Sequence, residues 1–357
     1  MIFIFIFQPI AKLFVPILNL GLDFLSFISK FSQLPFSKIY VPTPSITNII
    51  LYFLGILLSK RIYPIYHSSS LIPTQKRVKN LIALFQYKFH QKRKKYLFST
   101  TIILVLLVSI HFIPKDLRIY FVDVGQGDCT FIVTPQNRTI LIDGGGSQAE
   151  EFDVGKKTLI PYLLDRGYTS IDYVMISHFD RRSHSDGLLT VMKELNVENV
   201  IIGKQVEDSE NYQEFIKIVR EKDINVKIVE AENRIAVERS LYFDVLWPSS
   251  SNVISENAIN NNALVCKLYY RNFSMFFTGD IEEEVEKVLV SKYGGTDILD
   301  ANILKIAHHG SKSSSTEEFL KLVNPEIALI GVGKNNLYRH PNDEVIQRLE
   351  ILRCSDL

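Results

Sequence analysis

The sequence predicts an α+β soluble domain, about residues 117–357, carried behind membrane helices in the first 116 residues. Three observations make that prediction. Charge is partitioned: residues 1–116 hold 14 basic and 2 acidic side chains, a net +12, and the remaining 241 hold 26 and 37, a net −11. The whole chain is nearly balanced at 40 against 39, so the split marks two environments rather than one mixed globule. Long uncharged apolar runs are confined to the first third of the chain. Short strand-like segments that end in loops bearing His and Asp are confined to the rest.

In the first third, spans are expected at about 1–29, 45–59 and 97–113. The run LFSTTIILVLLVSIHFI, Leu97 to Ile113, carries no Lys, Arg, Asp or Glu and is about long enough to cross a bilayer. In the second span, Pro42 and Pro44 limit the helix to Ser45 onward. The first includes Lys12 and Asp23, which fit either a span or an interfacial helix. No basic region precedes it and no small-residue cleavage site follows it, which argues against a secretory signal peptide. Residues 60–95 contain ten Lys or Arg and no acidic residue, ending in Lys92-Arg93-Lys94-Lys95. Such a cluster beside a span is a topology and anionic-lipid signal before it is a nucleic-acid patch. It places this loop in the cytoplasm and the acidic domain outside, making the chain a multi-pass cell-membrane protein with an extracytoplasmic C-terminal domain.

The soluble part opens with strand and turn signals. Arg118–Asp123, Cys129–Val133 and Arg138–Asp143 read as strands, with Gly125-Gln-Gly-Asp128 as a tight turn. A helix near Thr158–Arg166 and a strand Tyr173–Ser177 follow. Neither GxGxxG opening a helix nor GxxxxGK[ST] is present, which excludes a dinucleotide or P-loop site. Cys129, Cys266 and Cys354 lack CxxC spacing and read as small buried hydrophobes.

Five of the eight histidines sit in three loops at strand ends. His178 and Asp180 follow an apolar strand, with His184 and Asp186 next. Asp280 ends Phe276-Phe-Thr-Gly-Asp280, His308 and His309 end Ile303-Leu-Lys-Ile-Ala, and His340 precedes Pro341. Imidazoles and carboxylates converging from strand ends supply borderline ligands suited to Zn²⁺ or Mn²⁺. Singly, each residue has a plain structural alternative: Asp280 as a helix cap, His308 as a core histidine, Asp143 in an Asx-turn.

The runs VDVGQGD (122–128), LIDGGG (141–146), SHFD with HSDG (177–187), NNALV (261–265), FTGD (277–280), LKIAHHGSKSS (304–314) and GVGKNNLYRHP (331–341) together resemble one family. It is the C-terminal metallo-β-lactamase-like domain of ComEC competence proteins, which take up DNA. The resemblance covers about residues 117–350 and implies an αββα sandwich preceded by transmembrane helices. Residues 1–96 look like only the tail of that family's membrane region, so the chain is expected to be a fragment or truncated product. Its end at Leu357 stops short of the family's final strand pair, which would expose a sheet edge.

Residue by residue, the resemblance implies metal ligands His178, Asp180, His184, Asp280, His308, His309 and His340, with Asp180 and Asp280 catalytic. Asp128 and Asp143 would orient them. Two divalent ions, Zn²⁺ or Mn²⁺, would hold a phosphodiester, activate water and stabilise the leaving oxygen. DNA is the implied substrate, with the lipid bilayer and other competence-machinery proteins as partners. The net −11 of the domain works against broad phosphate binding.

One departure bears on activity. The family's HxDxDH signature expects an Asp two residues after Asp180 and a His directly after that. Here Asp180-Arg181-Arg182-Ser183-His184 is one residue longer and places Arg182 at the carboxylate position. A cation there removes a ligand and adds repulsion. The alternatives are therefore an impaired remnant that binds or positions DNA or partners, and a tethered hydrolase of small esters.

Overall fold

A computed structural model describes residues 8–31, 39–67, short stretches between 76 and 105, 116–146, 152–180, 185–204, 209–334 and 336–354. The chain falls into two compact units, Met1–Pro42 and Thr43–Leu357. Helix α1, Gln8–Phe31, belongs to the first. Helix α2, Ile46–His67, opens the second.

The expected spans are not confirmed here. Among the described residues no helix is long and apolar enough to cross a membrane. In α2 the uncharged run 46–59 is 14 residues, about 21 Å at 1.5 Å per residue, against a hydrocarbon core of about 30 Å. The helix also runs on to His67, into the expected loop, because Lys60 and Arg61 are good helix formers and charge alone does not end a helix. Both helices nevertheless expose large apolar side chains, Leu20, Phe24 and Phe27 on α1 and Ile50, Leu51, Phe53 and Leu57 on α2. The expected span 97–113 and the basic cluster 92–95 lie outside the described residues, isolated positions apart.

Two six-stranded sheets form the body of the second unit. The first contains β1 (Arg118–Phe121), β2 (Thr130–Val133), β3 (Thr139–Ile142), β4 (Ser170–Ile176), β5 (Asn196–Gly203) and β6 (Asn225–Val229), in that spatial order. Strands β1 to β3 are antiparallel, and β3 to β6 are parallel. Parallel neighbours need crossovers. They are supplied by α3 (Ile160–Asp165, after a π-turn), α4 (Asp186–Glu194) and α5 (Glu210–Lys222). Helix α5 is capped by Ser209 Oγ, which accepts from the Tyr212 N–H at 3.2 Å.

The second sheet has the order β12-β11-β10-β9-β8-β7. Its strands are β7 (Arg234–Glu238), β8 (Leu241–Trp247), β9 (Val265–Tyr270), β10 (Phe273–Phe277), β11 (Ile303–Lys305) and β12 (Ile327–Leu329). The short helix α6 (Ala258–Asn261) lies between β8 and β9, α7 (Glu283–Tyr293) between β10 and β11, and α8 (Glu317–Val323) between β11 and β12; α9 (Asp343–Cys354) follows.

Alternation along each strand divides the core into layers. Ile132, Ile140, Ile142 and Met175 of the first sheet pack with Phe243, Val245, Cys266, Leu268, Met275 and Phe277 of the second. Their sequence neighbours Trp247, Val265, Phe276 and Leu304 face the other way, against Val285 and Leu289 of α7 and Phe319 and Leu320 of α8. Helices thus cover the sheet pair from outside, giving the αββα sandwich that the resemblance implies. Cys129 and Cys266 are buried free thiols, as expected.

Candidate metal centre

Five parallel strands deliver their carboxyl ends to one edge of the sandwich. Asp143 follows β3, His178 and Asp180 follow β4, Asp280 follows β10, His308 and His309 follow β11, and the 331–341 loop follows β12. Residues beyond such strand ends are free of ladder hydrogen bonding, so their side chains can converge. The turns are tight. Gly279 has φ +54, and a Cβ there would stand 2.9 Å from Ala263 Cβ. His308 and His309 are both left-handed, at φ +48 and +55, a conformation unfavourable for residues with a side chain. That double turn sends the two rings in different directions.

His309 turns inward. Its Nδ1 lies 2.8 Å from the Gly331 carbonyl oxygen, which can only accept, so Nδ1 carries the hydrogen and Nε2 of the neutral ring presents a lone pair. That Nε2 faces Asp280 Oδ2 at 3.5 Å. His178, fully buried, faces the same oxygen from Nε2 at 3.8 Å, while its Nδ1 is 2.8 Å from Ser177 Oγ. The lone pair of His309 Nε2 aimed at a carboxylate oxygen over such a distance fits a cation between them. Asp128, Asp280 and His309 offer ligand atoms all within 4.8 Å of one another, and all three are buried. The donor set, carboxylate oxygen and imidazole nitrogen, suits Zn²⁺ or Mn²⁺. The residues therefore fit a divalent ion.

The remaining expected residues divide. Asp143, at φ +54, accepts the Ser177 N–H at 2.9 Å, tying the end of β3 to the residue before His178. His308 points away from His309, its Nδ1 3.4 Å from Glu282 Oε1 and its Nε2 3.4 Å from Asn260 Nδ2. Asp180, His308, His309, Asp280 and His340 share a cleft of about 190 Å³ with Gln126, Asn260 and Tyr338. His340 stacks on Tyr338, with ring centres 5.7 Å apart, and its main chain is held by Asn336. Burial, then the neighbouring His308 and His309, hold its imidazole below the usual value against the pull of Asp280. Its Nδ1 is buried without a hydrogen-bond partner among the described residues. His184, with Arg181, Arg182 and Ser183, lies outside the described residues. The segment's far end is anchored by the Ser185 N–H, which donates to the Asp180 carbonyl at 3.1 Å.

Sequence reasoning missed Lys305. Its Nζ donates to Asp128 Oδ2 and to the Gly279 carbonyl oxygen and lies 3.6 Å from Asp280 Oδ1. Burial opposes its charge, but Asp128, then Asp280, more than offset that and hold the ammonium above its usual range. A lysine on an inward-facing position of an apolar strand was the available signal.

The fold is an αββα sandwich of the metallo-β-lactamase-like kind, and it carries a candidate divalent-metal centre. The chain's homologues include proteins named for the ComE operon, for recombination and for competence. It is 29% identical over 259 residues to ComE operon protein 3 of Bacillus subtilis (strain 168), a match covering 70% of this chain and 32% of that protein. Recombination protein 2 of Haemophilus influenzae is 29% identical over 227 residues, covering 64% and 26%. Competence protein ComA of Neisseria gonorrhoeae is also 29% identical over 227 residues, covering 64% and 28%. The chain thus spans about a third or less of the length of these relatives. No family model matches it. Among solved structures, the metallo-β-lactamase fold protein YhfI of Bacillus subtilis overlaps 67% of this chain and 94% of its own at a TM-score of 0.41 and 9% identity. The CmlA β-hydroxylase E377D mutant overlaps 67% and 50% at 0.41 and 13%. Overlaps this loose add nothing to the topology already described.

Proposed function

We propose that this chain presents a divalent-metal-dependent phosphodiesterase domain that cleaves DNA during uptake, anchored to the cell membrane on its outer side. The observation that carries the reading is the buried group of Asp128, Asp280 and His309 beneath an open cleft, in a chain whose homologues are competence proteins. A divalent ion bound there would lower the pKa of water and stabilise a leaving oxygen. His178, Asp280 and His309 would hold it. Ser177 and Gly331 fix the two imidazoles, and Asn260, Gln126 and Tyr338 shape the wall against which a phosphodiester would lie. The exposed apolar side chains of α1 and α2 support contact with lipid, because water does not favour two helices so clothed. Other components of a competence machinery are the natural partners of such a domain.

A second reading starts from the sequence, where Arg182 stands at the position the resemblance implies for a carboxylate. On that reading the domain positions DNA without cutting it. Elemental analysis and phosphodiesterase assays on the full chain with Mn²⁺ or Zn²⁺, beside a variant in which Arg181-Arg182-Ser183 is replaced by Ser-Asp, decide between them. Bound metal and DNA cleavage in both proteins support the nuclease. Cleavage confined to the replacement supports the impaired form, and absence of metal from both overturns the metal centre. For topology, labelling of single cysteines placed in 60–95 and in the sandwich should occur from opposite sides of the membrane.

A further inference from the structure

Side chains of β11 alternate. Leu304 joins the outer core under α7 and α8, whereas Ile303 packs in the space between the sheets, and Lys305 shares its face. The neighbouring inward positions are Met275, Phe277 and Cys266, so a lysine 3% exposed stands where the pattern calls for an apolar group. A cation buried so completely is retained only with compensating partners.

Those partners are the carboxylates of the candidate centre. Asp280 divides its oxygens: Oδ2 faces the imidazoles of His309 and His178, at 3.5 and 3.8 Å, and Oδ1 faces the Lys305 ammonium at 3.6 Å. A carboxylate shared between two metal ions would meet a cation at each oxygen. Here one of the two cations is a side chain. We propose that Lys305 fills the second cation position, so that the centre takes a single divalent ion on the imidazole side of Asp280. This rests on the metal-centre reading above and deepens it. Asp128 is then chiefly the counter-ion of Lys305, to which its Oδ2 is bonded. Charge agrees: the buried carboxylates near the centre, Asp128, Asp143 and Asp280, are balanced by one ammonium and one divalent ion. Lys305 is thus a positioning residue, holding Asp128 and Asp280 in place with or without the metal.

The full chain, stripped with chelator and dialysed against Mn²⁺ or Zn²⁺, gives the ion count by elemental analysis for the native protein, Lys305→Arg and Lys305→Ala. One ion per chain is expected in the native protein and in Lys305→Arg, which keeps the charge. In Lys305→Ala the count should rise toward two, and the ion-free form should melt lower than native and recover on adding metal. Two ions in the native chain would overturn the inference while leaving the metal centre intact. No ion would overturn the metal centre itself. If Lys305→Ala does not fold, the native count still decides.

Discussion

His309 Nε2 stands 3.5 Å from Asp280 Oδ2, while the opposite side of the ring is held 2.8 Å from the Gly331 carbonyl oxygen. The loop after β12 therefore aims a ligand from β11 at a carboxylate from β10. Replacing His309 by Ala removes a metal-facing nitrogen and leaves the fold's layers untouched. Affinity for Mn²⁺, measured by calorimetry on the full chain, should drop by more than the roughly 10–100-fold typical of losing a supporting partner. Replacing His308, which points to Glu282 and Asn260, should change affinity far less. Equal losses would contradict the division of roles between the adjacent rings.

Gly331 has a second duty. A Cβ at that position would collide with Asp128 Oδ1 and the Gly127 carbonyl oxygen. Gly331→Ala should displace Asp128 and the carbonyl that orients His309 together, lowering metal affinity by about 10–100-fold. Native affinity in this variant would show that the two loops do not hold the centre.

Much of this was legible in the sequence because it depends on local pattern. Strand ends carrying His178, Asp280 and His309 could be read from apolar runs stopping at polar residues, and the structure places the two imidazoles at one oxygen of Asp280. Which of His308 and His309 turns inward could not be read. It follows from two successive left-handed residues, a choice made by packing rather than by residue type. The resemblance gave Asp128 only a supporting role; it sits in a glycine turn 181 positions before His309, and only the pairing of two sheets brings them together. Lys305 was hidden for another reason. Lysine at the end of a strand ordinarily reaches water, and its place in an apolar strand does not by itself say that it meets two aspartates.

Thiol chemistry checks the packing of the inner core. Cys129 and Cys266 are buried, and burial, followed by nearby Asp143, pushes both thiols up. Since the thiolate is the reactive form, neither should react with a disulfide reagent until the chain unfolds. The measurement is best made in Cys354→Ser, so that the third thiol does not contribute. Rapid modification of Cys266 in the folded chain would refute the inter-sheet packing described, and of Cys129 the burial at the start of β2.

Glu286 of α7 gives a pH signature far from the metal centre. It is fully buried, its Oε1 accepting the Ser315 N–H at 2.5 Å and its Oε2 the Thr316 N–H at 2.7 Å, directly before α8. Burial raises its carboxyl above the ordinary 4.5, and the hydrogen bonds from Thr316 and Ser315 and the charge of Arg348 offset that only in part. A raised carboxyl binds its proton more tightly in the folded chain than in the unfolded one. Its contribution is therefore fully present below about pH 4.5 and is lost as pH rises through the folded value. Glu286→Gln cannot titrate. The melting-temperature difference between the native chain and this variant should favour the native chain more near pH 4.5 than at pH 7. A difference independent of pH would mean that the group is not buried as described. Glu286→Ala leaves two N–H groups at the start of α8 without their acceptor and should cost about 1–3 kcal/mol. Urea unfolding measures that loss, and because Glu286 lies outside the ion's surroundings, metal affinity should be unchanged in the same variant.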